Sequence, residues 1–471
     1  MFQKILQWIR EQINKMLSTT SVKQALNINI AISTPMVEAL QLWSLMYQNQ
    51  ASWLNTDVKS LQLPAAIASE ISRAVTIEME CEISGSPRAD YLYLQMVNAL
   101  KDIRQKVEFG AAKGGLMMKP YPKGDKIIVD FVQADQFYPV AFDENGMTAC
   151  VFADTKVIGQ NYYTRLESHA MTDAGYKITN NAFKSQTQNT LGSACSLADV
   201  PAWADLQPEA TITGIDRPLF AYFKFPLANS IDPTSPLGMS CYARATELIQ
   251  QADEQWSNLL WEFDSGKRAL YTDTQAFGKD ADGKPILPIK RLYRTLNSTS
   301  NIGANGNLFD EWSPTLRGVE ILNGLNAILK QIEFTCGLAA GTISDPNIVA
   351  LTATEIKANK QRTYATITDT QNALEDTLNQ LLYAMDVWAT LNNLAPKGKY
   401  DAVFYFDDSV VSDHDVLLAN SLQEVGSGLM SKVEYRMVVK GETEEIARKY
   451  IAMVTEEQPK DFFSDPVNLG A

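Results

Sequence analysis

The sequence predicts an α+β protein, and three observations lead there. Apolar residues recur at helical spacing between Ser33 and Phe109. The period then shortens to that of strands between Gly110 and Phe183. It returns to helical in three later runs, 241–264, 319–336 and 355–393. Helices, then strands, then helices again is the element order of an α+β chain.

At the start, Phe2, Ile5, Leu6, Ile9, Ile13, Met16 and Leu17 make one face of an amphipathic helix. Lys4, Arg10, Glu11 and Lys15 are few and of both signs, so this helix is expected to rest on its own protein rather than on a membrane. The same charges interrupt the apolar core that a signal peptide needs. Pro35 sits just inside a second helix carrying Val37, Leu40, Leu42, Trp43 and Leu45, and Pro64 opens a third through Ile67, Ile71, Val75 and Ile77. Asp90 to Phe109 reads as one more, with Leu92, Leu94, Val97, Leu100, Ile103 and Val107.

Gly110, Gly114 and Gly115 are expected to break that helix. β-type runs follow at Leu116–Lys119, Lys126–Phe131, Gln136–Phe142, Met147–Thr155, Gly159–His169 and Gly175–Phe183. Turn residues separate them, including Asp143-Glu144-Asn145-Gly146 and Asp173-Ala174-Gly175, so an antiparallel meander is the economical reading. The run Gly110 to Gly115 is no phosphate loop, since it lacks the Gly-Lys-Ser/Thr ending and precedes a strand. Asn189 to Arg217 is polar and turn-rich and reads as a loop, and Leu219 to Phe225 as an aromatic strand.

Pro236-Leu237-Gly238-Met239-Ser240 leads into a long helix, Cys241 to Asp264, which Gly266 is placed to stop. Strand-like runs at Ala269–Thr272 and Ile289–Thr295 follow, in a stretch (266–317) with a net charge of +3. A second helix, Val319 to about Cys336, carries Ile321, Leu322, Leu325, Ile328, Leu329 and Ile332. Next comes a short, small-residued segment with Asp345 as its only charge. It leads to a helix without Pro or Gly as far as Asn393, along Ile367, Leu374, Leu378, Leu381, Met385 and Trp388. Thr352 or Thr354 is the candidate N-cap, and at 1.5 Å per residue the helix would be about 55 Å long. Pro396-Lys397-Gly398 marks a boundary. Beyond it come a strand at Val403–Phe406, helices near Asp413–Glu424 and Thr443–Glu456, and frayed last residues from Pro459.

Composition narrows the function. With 471 residues, 45% hydrophobic and 20% charged, the chain can bury more than one core. A net charge of −14 excludes a protein whose whole surface grips nucleic acid, because that grip runs on Lys and Arg. Residues 401–471 hold 14 acidic and 6 basic residues, so the excess is concentrated there. The five Cys are scattered without CxxC spacing, which argues for reduced thiols rather than disulfides or zinc. No apolar run is long enough to span a membrane. Only His169 and His414 are present, too few for a His-rich metal cage. Glu78, Glu80 and Glu82 alternate as on a solvated strand face; the competing reading is a metal-dependent nuclease. No cofactor or metal is expected.

In three stretches the chain resembles the portal (head–tail connector) proteins of tailed bacteriophages, of the type found in phages of Gram-positive hosts. They are the strand region with Asp135-Gln136-Phe137-Tyr138-Pro139-Val140 and Asp143-Glu144-Asn145-Gly146, the Pro236 to Ser240 lead-in, and Ala350-Leu351-Thr352-Ala353-Thr354-Glu355 before the longest helix. The resemblance implies a portal-type fold. Its parts would be a helical and β wing (1–240), a two-helix stem (241–265 and 318–343), a small α/β clip (266–317), a tunnel loop (344–354), a long wing helix (355–400), and the wing end with a helical crown (401–471). It further implies a homo-oligomeric ring, usually a dodecamer, at one capsid vertex of the virion, assembled in the host cytoplasm. Double-stranded DNA would pass through it, and its partners would be the terminase large subunit, a head–tail adaptor, and the major capsid and scaffolding proteins.

On that resemblance Asn347, Ile348, Val349, Ala350, Leu351, Thr352 and Thr354 would line the DNA channel. Lys357, Lys360 and Arg362 would form a weak cationic ring or pair with acids of a neighbouring subunit. Lys290, Arg291 and Arg294 would meet DNA or an acidic surface on the terminase or adaptor, or pack between neighbouring clips. The alternative is another capsid- or tail-associated structural protein without a channel.

Overall fold

The computed structural model describes residues 19–144, 146–273, 282, 293–296, 309–345, 353–406, 414–440 and 442–457. The amphipathic helix expected over residues 2–17 lies outside them. The chain divides into two compact units, Met1–Tyr405 and Phe406–Ala471, and it mixes helix and strand as an α+β chain does.

The first unit opens with helices α1 (Thr19–Leu26), α2 (Thr34–Tyr47) and α3 (Leu63–Thr76), strand β1 (Met79–Ser84), and helices α4 (Pro87–Leu100) and α5 (Ile103–Lys113). Pro35 and Pro64 fall in the first turns of α2 and α3, where a missing N–H costs nothing. Ile67, Ile71 and Val75, spaced by four, are all buried. The single helix expected from Asp90 to Phe109 is two, with Asp102 at the N-cap position of the second. That helix also runs through Gly110 and ends only at Gly114, whose left-handed φ of 81° suits a glycine. A side chain on Gly110 would collide with Phe223, so this glycine permits close packing rather than breaking the helix.

Strands β2 (Gly115–Lys123) and β3 (Lys126–Gln133) join β10 (Ala221–Lys224) in an antiparallel three-stranded sheet ordered β10-β2-β3. Strands β4 (Phe137–Asp143), β5 (Gly146–Ile158), β6 (Asn161–Thr172), β7 (Gly175–Ser185) and β8 (Ser193–Cys195) follow one another across a second sheet. In it β9 (Glu209–Ile212) also pairs with β7. The expected meander is therefore divided between two sheets, and part of the expected loop at 189–217 supplies strands.

The two sheets are tied by Lys119 of β2, whose Nζ lies 2.6 Å from Glu167 Oε2 on β6, and by the edge-to-face rings of Phe137 and Tyr222. Gly114 and Gly238 meet backbone to backbone, and a Cβ on Gly114 would sit 2.6 Å from the Gly238 carbonyl oxygen. The Pro236–Ser240 lead-in is thereby seated on the corner between α5 and β2, and the Cys241 N–H donates to the Ala111 carbonyl at 2.9 Å.

Helix α6 (Thr246–Ser265) follows, then strands β11 (Ala269–Asp273), β12 (Tyr293–Leu296) and β13 (Phe309–Trp312), helix α7 (Gly318–Cys336) and the 39-residue α8 (Ala353–Leu391). At 1.5 Å per residue α8 is about 58 Å long. Leu374, Leu378, Leu381 and Met385 on one of its faces are fully buried. Gln380 and Tyr383 tie the helix to Pro218 and Asp216, and Arg88 of α4 donates to Thr390. Strand β14 (Asp401–Phe406) pairs with β1.

The second unit holds α9 (His414–Ser427), α10 (Lys432–Lys440) and α11 (Glu444–Glu457). Helix α10 was not expected from apolar spacing. It is opened by a capping box, in which Ser431 Oγ accepts from the Glu434 N–H and Glu434 accepts from the Ser431 N–H.

Candidate functional site

The chemistry-bearing region is the succession α6, small sheet, α7, connector, α8. Helix α6 is anchored at its buried side by Asp253, which accepts from the Trp53 indole N–H at 2.9 Å and the Leu61 backbone N–H at 2.8 Å. Burial pushes the Asp253 carboxyl above its usual range, and these two hydrogen bonds oppose the shift. One turn on, Ser257 Oγ accepts from the Lys59 N–H. The N-terminal helical block thereby grips the root of α6.

At the other end of α6, Glu262 clamps the start of α7. Its carboxylate accepts from the Arg317 backbone N–H at 3.0 Å, from Arg317 Nε at 3.3 Å and from Nη2 at 2.8 Å. The Arg317 hydrogen bonds hold the Glu262 carboxyl below its ordinary range and raise the guanidinium in turn. Arg317 occupies the N-cap position of α7, so the carboxylate also faces the positive end of that helix. The two helices are thus closed into a pair at the point where the small sheet leaves them.

That sheet is ordered β12-β11-β13, with β11 and β12 parallel and β11 and β13 antiparallel. Strand β13 lay outside the expected elements. Arg268 pairs with Glu311 across β11 and β13, and the Trp312 indole reaches the Ser265 carbonyl. Arg294 falls on β12, in register with Tyr271, while its side chain lies outside the described residues; so do Lys290 and Arg291 entirely.

The outer faces of the pair are apolar and open. Trp261 is 64% exposed, Val319 68% and Phe334 56%, with Leu260, Phe263 and Leu322 also exposed. Open side chains of this size are of the kind an interaction surface presents.

Helix α7 ends at Gly337, whose φ of 74° is the left-handed cap conformation. The connector 338–345 then turns back over the last turn of α7. The end of α7 is tied to α8 as well, since Thr366 Oγ1 donates to the Gly337 carbonyl at 3.1 Å and the Arg362 guanidinium lies 4.0 Å from the centre of the Phe334 ring. Of the residues expected in the channel, Arg362 is thus placed by a contact within its own chain. Asn347, Ile348, Val349, Ala350, Leu351 and Thr352 lie outside the described residues. Thr354, Lys357 and Lys360 fall on α8, with their side chains outside what is described.

The residues that sequence reading passed over are Asp253, Glu262 and Glu333, buried acids on helices whose charges look like surface charges. Their signal is position: 325, 332, 333 and 336 share one helical face, and an acid within such a stripe must have partners.

Other candidate chemistry is dispersed. Glu80 and Glu82 are exposed on β1, and no group of three His, Cys, Asp or Glu among the described residues is arranged to hold a metal. His169 is buried between Tyr176 and Glu167 in the sheets. The His414 side chain lies outside the described residues. No helix among the described residues is long and apolar enough to cross a membrane.

A clamped helix pair with a small sheet between its helices, a tied connector and a very long helix on a mixed body define a structural subunit that presents surfaces. The chain belongs to the phage portal protein family of the SPP1 Gp6-like type, whose family model matches residues 92–458. No curated protein matches it. The family is one of structural, non-enzymatic proteins, the head–tail connectors of bacteriophages. It implies a place in the virion capsid and a ring-forming oligomer.

Proposed function

We propose that this chain is one subunit of a ring, usually of twelve copies in its family, set at one vertex of the head. Double-stranded DNA is driven in through its centre by the terminase and leaves by the same route on infection. The order of parts carries the reading: helix, small sheet, helix, connector and 39-residue helix, in a chain of the portal family. The helix pair is then the stem, 266–317 the clip that meets the terminase large subunit and the head–tail adaptor, and 344–354 the channel lining. Residues 1–240 and 355–400 form the wing and 401–471 the wing end and crown, with the major capsid and scaffolding proteins as further partners.

The lining has the chemistry a conduit needs. Phosphate contacts from six to ten Lys or Arg supply enough grip that affinity changes by roughly 10³–10⁵ over a few-fold change in salt. Residues 344–354 offer Asp345 as their only charge, so a duplex can slide past without being held. Rings with a central hole, seen by native mass spectrometry and negative-stain microscopy, are the expected result. A stable monomer, with packaging that survives loss of the gene, would overturn the reading. A double variant, Val349→Lys with Leu351→Lys, should assemble normally yet stall packaging; normal packaging would remove this segment from the DNA path.

A further inference from the structure

Glu333 stands on the last turn of α7 and is fully buried. Its carboxylate takes four hydrogen bonds, all from the connector. Oε1 accepts from the backbone N–H groups of Ile343 at 2.6 Å and Ser344 at 2.8 Å. Oε2 accepts from the Gly341 N–H at 3.2 Å and the Ser344 hydroxyl at 2.8 Å. Two turns earlier on the same helix, Asn326 Oδ1 accepts from the Asp345 N–H at 2.8 Å.

A buried carboxylate without partners is costly, and hydrogen bonds to an ionised acceptor are the strong kind. Here three of the partners are backbone N–H groups and the fourth is a hydroxyl, all of one short segment. The acid is satisfied only when residues 341–345 hold this path, and they have this path because the acid is there. Ser344 itself is buried, and Asp345 beside it is exposed while its N–H is still held by Asn326.

We propose that Glu333 is a positioning residue for DNA passage: it fixes where and in which direction the chain departs from the stem, so that passing DNA cannot drag that root along. The proposal rests on the reading of 344–354 as channel lining. It assigns to a single carboxylate the registration of that lining against the stem.

The test compares assembled rings of wild type, Glu333→Gln and Ser344→Ala. Glutamine keeps the shape but offers one acceptor and an NH2 group that faces N–H donors. Alanine at 344 removes one donor and leaves the carboxylate. In Glu333→Gln, hydrogen exchange at the Gly341, Ile343 and Ser344 amides should quicken by about tenfold or more, the order expected from losing one charge-assisted hydrogen bond. Amides of 374–385 in α8 should keep their wild-type rates, and DNA packaged per particle should fall by about tenfold. Ser344→Ala should move the same readouts in the same direction by a smaller factor, and it carries the test if the Gln variant gives no rings.

Unchanged exchange at 341–345 in these variants overturns the fastening. Faster exchange with wild-type packaging overturns its role in DNA movement. Neither outcome touches the channel reading, which the Val349→Lys, Leu351→Lys rings judge separately.

Discussion

In the sheets of the first unit, Lys119 and His169 are buried, Arg165 and Glu167 keep only 13% and 14% of their side-chain surface exposed, and the four pair among themselves. On the helix pair, by contrast, Trp261, Phe263, Val319 and Phe334 stand open. Glu167 is the centre of the first group: Lys119 Nζ lies at 2.6 Å, Arg165 Nη2 at 3.0 Å and His169 Nε2 at 2.8 Å. Burial works against its ionised form. The His169 hydrogen bond and the charges of Lys119 and Arg165 outweigh burial and hold the carboxyl well below its ordinary range. The sheets therefore close their own polar accounts inside one chain. The helix pair satisfies its buried acids Asp253, Glu262 and Glu333 in the same way, yet leaves large apolar side chains open.

The comparison breaks most readily at Glu167. Glu167→Ala leaves two cations and a histidine buried around a void, and losing one partner of a buried pair costs about 3–5 kcal/mol. Denaturant titration of the isolated subunit should show a loss of that size. A loss below about 1 kcal/mol, the surface-pair range, would mean the cluster is solvated.

Trp261→Ala makes the opposite test. Subunit stability should stay within about 0.5 kcal/mol, while ring formation weakens by about 2 kcal/mol per interface, as for a central aromatic anchor. Native mass spectrometry over a concentration series measures the shift; rings as robust as wild type would show that another face carries assembly.

Gly337→Ala comes next. The left-handed φ of 74° and a Cβ that would press on Thr366 Oγ1 predict a loss of about 1–2 kcal/mol. It should appear in denaturant melts of the subunit, together with faster amide exchange at 338–345.

The helices on one side of this division were legible in the sequence. The period of 319–336 and 355–393 located both helices to within a few residues, because one buried stripe decides each. Sheet membership was not legible. Ala221–Lys224 pairs with Gly115–Met118 about a hundred residues earlier, and β1 finds its partner at 401–406, while local spacing carries no information about a distant partner. Of the site, the small residues and lone charge of 344–354 could be read directly. The acids that tie the connector and clamp the pair could not, since a glutamate in a helix looks the same whether water or backbone N–H groups surround it. Position 333, inside the stripe of Leu325, Ile332 and Cys336, was the available clue.

The smallest expected effect concerns acid. His169 is buried with Nδ1 2.7 Å from the Tyr176 hydroxyl and Nε2 2.8 Å from Glu167, an arrangement a neutral ring satisfies by accepting from the tyrosine and donating to the carboxylate. Burial lowers its pKa from the ordinary 6.5, Lys119 and Arg165 add to that, and Glu167 opposes it. As pH falls below 6.5 the unfolded chain therefore takes up a proton that the folded chain refuses, and stability declines until the folded pKa is reached. One proton gives a slope of at most about 1.4 kcal/mol per pH unit. Glu167 acts in a lower window: its depressed pKa stabilises the fold above the ordinary carboxylate value of 4.5 and is lost only as pH falls beneath it. The two are separable by melting the subunit from pH 7 down through and well below 4.5. His169→Gln should flatten the upper part of that profile and narrow the lower part without abolishing it, since the His169 hydrogen bond helps hold Glu167 down while Lys119 and Arg165 remain; an unchanged upper slope would mean the ring is already protonated in the folded chain.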